Sequence, residues 1–230
     1  MIKKIVMLSA VGFMVLGSSA AFAQFGSLKG LAGAVAKPVA AANGVSTADL
    51  TTSKGAAVST YLAASQALAL SLEKAGEAFG VKKEVLEKLA VVQSLKEGNI
   101  NDKDLEKARQ SSAEAQAIIK EKMAATSAPS VEAKALMAES MIHLADGIQK
   151  ETGLVPAVAS LSSQAQAAVS SASPMEMLKV KDIAGTAVTL VTAIPKDLKL
   201  SKDILGMYMT YAKANNISTP SNATNLLKEE

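Results

Sequence analysis

Residues 81–96 read VKKEVLEKLAVVQSLK. Val81, Val85, Leu86, Leu89, Val92 and Leu95 recur at three- and four-residue intervals, while Lys82, Lys83, Glu84, Glu87 and Lys88 take positions between them. On a helix the first set forms one apolar stripe and the second faces water; a half-buried strand would need strict alternation, which is absent. Glu84 precedes Lys88 by four residues, the favourable order for an ion pair along a helix. Gly98 ends the pattern.

The same spacing recurs on both sides. Upstream, Leu50, Val58, Leu62, Leu68, Leu72 and Phe79 predict a helix over 47–79, opened by Ser46 with Asp49 three residues on and closed at Gly80. Downstream, Asn101 caps a helix whose first turns carry Asp102, Asp104 and Glu106, where the helix dipole favours negative charge; it runs to about Met123. A helix from Ser130 to about Thr152 presents Leu136, Met137, Met141, Leu144 and Ile148 on one face. Gly153 and Pro156 should break or kink it before a Ser/Gln/Ala-rich helix over 157–172. Ser173-Pro174-Met175-Glu176 supplies a serine N-cap, proline at the first helical position and glutamate at the third, opening a helix that should stop at Ile194 before Pro195. A last helix is expected over 201–215, followed by a polar, disordered tail over 217–230.

Short links between long helices predict an all-α protein, an antiparallel up-down bundle of about five to six helices spanning 46–216. The 43 alanines and scarce aromatics imply closely approaching backbones with modest area buried per interface. Alanine-rich seams also leave homo-oligomerisation open.

The N-terminus reads as an export signal. Lys3 and Lys4 precede an uncharged apolar run from Ile5 to Gly17, then small residues ending in Ala21-Phe22-Ala23. The run is shorter than the roughly 20 apolar residues of a spanning helix, and small residues at Ala21 and Ala23 suit cleavage before Gln24. A Gly/Ala-rich leader follows over 24–45, broken at Pro38. Export places the protein beyond a bacterial inner membrane, most simply in the periplasm, with secretion or outer-membrane association as the alternatives. Removal of Lys3 and Lys4 leaves 22 basic against 21 acidic residues, net +1, with Arg109 the only arginine. Spread-out charge, no tryptophan and few aromatics disfavour nucleic-acid binding.

Chemistry-bearing motifs are sparse. The chain has no cysteine, which removes disulfides, thiol catalysis and zinc–thiolate sites. Neither a phosphate-binding loop nor a serine elbow occurs. The one histidine, His143, has Glu139 four residues before it and Asp146 three after, a candidate metal or acid–base cluster on one helix face. It lacks the Glu-x-x-His register of di-iron bundles and a second histidine for zinc. The expectation is a non-enzymatic protein without a cofactor.

Uncharged stretches are the more unusual feature. Residues 55–72, 152–175 and 183–194 carry no charge at all. The simplest account makes them inner helices of a soluble bundle, serving as a binding or structural module for a protein partner or an apolar ligand held between helices. The competing account is conditional membrane insertion through 183–194, with Ile183, Val188, Leu190, Val191 and Ile194 as contact residues. That segment would reach only about 18 Å as a helix, against about 30 Å of hydrocarbon.

Overall fold

A computed structural model describes residues 45–96 and 100–228, and the signal and cleavage positions Ala21, Ala23 and Gln24 and the leader as far as residue 44 lie outside them. Six helices make up the described chain: α1 (Thr47–Ala78), α2 (Lys82–Gln93), α3 (Asp102–Ala125), α4 (Val131–Val169), α5 (Pro174–Asn215) and a single turn, α6 (Ala223–Leu226). The architecture is an all-α helical bundle.

Three of the four expected capping side chains act as the sequence suggests; at the start of α5 the Ser173 hydroxyl caps no backbone amide and donates instead to Glu176 Oε2 at 2.7 Å. Ser46 accepts from the Asp49 amide at 3.1 Å while Asp49 reaches back to the Ser46 amide, a closed capping box. Asn101 and Ser130 accept from the amides of Asp104 and Ala133. At the α1–α2 corner Gly80 has φ +70°, and the Val81 and Gly80 amides bond back to the carbonyls of Gly76 and Glu77. This reversed-turn cap needs a left-handed residue, and glycine takes that conformation without a Cβ penalty.

Long α1, α4 and α5 form the centre. Ser71 meets Ser140 and Lys74 meets Glu139, so the end of α1 lies beside the start of α4 and the two run antiparallel. Thr47 bonds Glu176 and Lys54 pairs with Asp182 at 2.5 Å, so α1 and α5 run parallel. The α2–α3 hairpin, fastened by Lys88–Glu114, packs on this trio. Bonds to α5 from this side fall at Asp197 (from Arg109) and at Tyr211 (to the Thr126 carbonyl), both in the C-terminal half of that helix.

Packing follows a three-four rhythm. Ala57, Tyr61, Ala64, Leu68, Ser71 and Ala75 are buried on α1; Ile183, Ala187, Leu190, Ile194, Asp197, Ser201, Ile204 and Tyr208 are buried on α5. A 3.5-residue repeat is that of knobs-into-holes packing between slightly supercoiled helices. Small residues set the α1–α4 distance: a Cβ on Gly147 would lie 3.2 Å from the Ala64 carbonyl oxygen and 3.3 Å from the Ala67 methyl.

Two expected helix ends are absent. Residues 131–169 form one helix through Gly153 and Pro156, and residues 174–215 form one helix through Pro195. A proline removes one amide bond and crowds the carbonyl four residues back. Here both rings are exposed on the outer side of their helices, and the turns on either side are anchored in the core by Leu154 and Val158 and by Ile194 and Ile204. Tertiary packing outweighs the local penalty. The expected disordered tail is also corrected as far as Lys228. Asn216 adopts the left-handed conformation (φ 53°, ψ 48°) and turns the chain back, and Ile217, Ala223 and Leu226 bury against the core.

Candidate functional site

Charged and polar side chains meet inside the bundle where α1, α3, α4 and α5 converge. The carboxylate of Asp197 accepts from the Tyr61 hydroxyl at 2.7 Å and from Arg109 Nε at 2.7 Å. Arg109 also donates to Glu106, which stands at the surface end of the chain of bonds. Glu151, only 2 % exposed, faces the same cluster, with Ser201 near its carboxyl. Its Oε2 has no protein partner among the described residues, and Glu151 lines a cavity of about 20 Å³ with Tyr61, Ser65, Arg109, Ser112 and Asp197. That is room for about one water molecule.

The two carboxyls differ in protonation for a physical reason. Burial pushes Glu151 well above the usual carboxylate range, and the nearby Asp197 charge adds to it; the Ser201 hydroxyl and the Arg109 charge oppose the shift. Burial raises Asp197 too, but bonds from Tyr61 and Arg109 pull it back. Of the two, Glu151 is therefore the more readily protonated, and Asp197 keeps its negative charge to lower pH. Burial, then the Asp197 charge, raises the Tyr61 phenol so far that it remains a donor. The cluster sets one guanidinium against two carboxyls in a nearly dry interior, with its donors committed to one another.

The sequence marks this cluster in retrospect. Glu151 follows Ile148 by three and precedes Leu154 by three; Asp197 and Ser201 continue the stripe of Ile183, Ala187, Leu190 and Ile194. Acids on apolar stripes, and a single arginine in a lysine-rich chain, are signals that periodicity could have exposed. Nothing in one sequence pairs positions 61, 109, 151 and 197, which only the packing of four helices brings together.

The Glu139, His143 and Asp146 cluster is drawn apart by other partners. His143 Nε2 lies 3.7 Å from Glu139, but Glu139 is also held by Lys74 at 3.0 Å, and Asp146 is bound by Lys150 on its own helix. No group of three or more His, Cys, Asp or Glu side chains able to hold a metal occurs among the described residues.

The contact candidates of 183–194 divide. Ile183, Leu190 and Ile194 are core residues, whereas Val188 and Val191 are 48 % and 43 % exposed. Around them Leu178, Lys181, Gly185, Val188, Thr192 and Pro195 form an exposed stripe down one face of α5, carrying a single charge over about 26 Å. Among the described residues only α1 is long and apolar enough to cross a membrane, and half of that apolar window is buried in the bundle. No family model, no curated protein and no solved structure matches the chain.

Proposed function

We propose that this is an exported, non-enzymatic bundle of the bacterial envelope that binds a protein partner along the outer face of α5. The observation that carries the reading is the stripe from Leu178 to Pro195. It is exposed, carries the one charge of Lys181 and otherwise consists of Leu178, Gly185, Val188, Thr192 and Pro195. A surface helix ordinarily turns charge toward water, and a charge-poor face on a helix is the kind of surface another helix covers. Arg109 of α3 and the Thr126 carbonyl just beyond it meet α5 at Asp197 and Tyr211, outside the N-terminal half that carries most of the stripe. The water-sized cavity beside Glu151 is too small to hold an apolar ligand. Residues 3–23 supply the case for export.

Insertion of 183–194 into lipid would require Ile183, Leu190 and Ile194 to leave the core, so it demands an opened bundle rather than the packed one.

A photo-crosslinking side chain at Val188 tests the proposal in the producing cell, with Lys120 on exposed α3 as the control position. A discrete adduct from Val188, lost when Thr192 is changed to Lys and absent from Lys120, is the expected result. Equal or absent crosslinking at both positions rejects the α5 face as the binding surface.

A further inference from the structure

We infer that the partner covering the outer face of α5 is a second copy of this chain, laid antiparallel so that the stripe from Leu178 to Pro195 pairs with itself about a two-fold axis between Gly185 and Val188. The inference rests on the reading that this face binds a protein, and it names the occupant.

Spacing along α5 sets the register. Leu178, Lys181, Gly185, Val188, Thr192 and Pro195 are exposed and follow one another at intervals of three, four, three, four and three residues. That is the seam spacing of a two-stranded coiled coil, here on the side of α5 turned away from the core residues Ile183, Leu190 and Ile194. The helix begins at Pro174, and exposed Lys199 brings charge back one step beyond Pro195, so the charge-poor seam is bounded at both ends. An antiparallel pair centred on the midpoint lays the whole seam on itself and leaves Lys199 at its margins.

Each position finds its complement in the same stripe. In that register Leu178 meets Pro195 of the other copy, Lys181 meets Thr192, and Gly185 meets Val188. A Cβ built on Gly185 would touch nothing within 4 Å, so the branched side chain of Val188 has open room above it. Along one flank Val191 falls beside Ala184 and Met177 beside Leu198, an apolar border; along the other Asp182 faces Thr189 and Met175 faces Lys196. No like charges oppose one another. A parallel pair would set Lys181 against Lys181, which selects the antiparallel arrangement. A formal net charge of only +3 over 230 residues adds little general repulsion between copies.

The area sets the strength. Seam and flanks engage about a dozen residues of each copy, against about 20–30 a side in a standard interface, so the dimer is reversible and dissociates on dilution.

The test is sedimentation equilibrium of the protein purified from its producing cell, from dilute solution to about 100 µM. The expected result is a monomer–dimer equilibrium. Thr192→Lys sets a cation against Lys181 of the other copy and should weaken the dimer about tenfold or more, whereas Lys181→Glu/Thr192→Lys sets opposite charges there and should restore it. Both side chains are exposed, so the circular dichroism and melting temperature of the dilute proteins should be unchanged. The chain has no cysteine, which allows a second readout: Lys181→Cys and Thr192→Cys proteins should form a disulfide when mixed, and neither should do so alone. A parent that stays monomeric at every concentration, a double variant that pairs no better than Thr192→Lys, or a disulfide formed as readily by Lys181→Cys alone overturns the inference. The Val188 crosslink separates this outcome from the reading beneath it. An adduct joining two copies of the chain supports both. An adduct to a different chain, with the purified protein monomeric, keeps the α5 face as a binding surface and rejects the second copy; no adduct rejects both.

Discussion

Replacing Arg109 with Met isolates the energetic role of the interior charge pair. The guanidinium and the Asp197 carboxylate are 14 % and 11 % exposed, so solvent screens their interaction far less than it would a surface pair. Methionine keeps much of the stem's volume and removes the charge and the Nε donor. Breaking one side of a buried pair costs about 3–5 kcal/mol, mostly because the remaining ion is stranded. Asp197 keeps the Tyr61 bond at 2.7 Å and can take up a proton, which places the expected loss near the lower end, about 3 kcal/mol. Against a total stability of about 5–15 kcal/mol that is a large fraction. With a urea slope of about 2 kcal/mol per molar, the midpoint should fall by roughly 1.5 M. Adding Asp197→Asn to Arg109→Met should recover most of the loss, because no ion is then left stranded. The single variant should also lose less at low pH, where Asp197 is protonated. Urea titrations of parent, both single variants and the double variant at two pH values measure all of this. A midpoint shift below about 0.3 M for Arg109→Met, or a double variant no better than the single, would refute the reasoning.

Two further perturbations probe the interior. Glu151 has its carboxyl raised in the folded state, so its contribution to stability is complete at a pH below the ordinary glutamate value and is lost as pH rises through the folded value. Glu151→Gln should therefore flatten the pH dependence of the thermal midpoint and gain about 1 kcal/mol over the parent at alkaline pH; a variant that follows the parent's curve would show that Glu151 is not the titrating group. Gly147→Leu sets a bulky side chain where even a Cβ would lie 3.2 Å from the Ala64 carbonyl, and should cost about 1–3 kcal/mol or more by forcing α1 and α4 apart; an unchanged melting temperature would mean that the seam is looser than its distances state.

The sequence by itself determined the helical class, the order of the helices and most of their starts. Caps are local: the serines at 46 and 130, Asn101, and Gly80 at the α1–α2 corner act on amides and carbonyls within five residues, so one window contains all the information. Periodicity likewise marked the core faces that hold Leu89, Met141 and Leu144. Whether 156 and 195 end a helix was not local. The propensity of proline points to a break, and the burial of the turns on both sides decides otherwise. The tail was misread for the same reason, since Ile217, Ala223 and Leu226 have too few apolar neighbours in sequence to announce a core contact. The division of 183–194 into buried Ile183, Leu190 and Ile194 and exposed Val188 and Val191 depended on which neighbours α5 has along each side. The interior cluster belongs wholly to tertiary structure: Tyr61, Arg109, Glu151 and Asp197 come from four helices. Their charges and hydrogen bonds are arranged by distances of a few ångströms between residues up to 136 positions apart, and no local rule relates such positions.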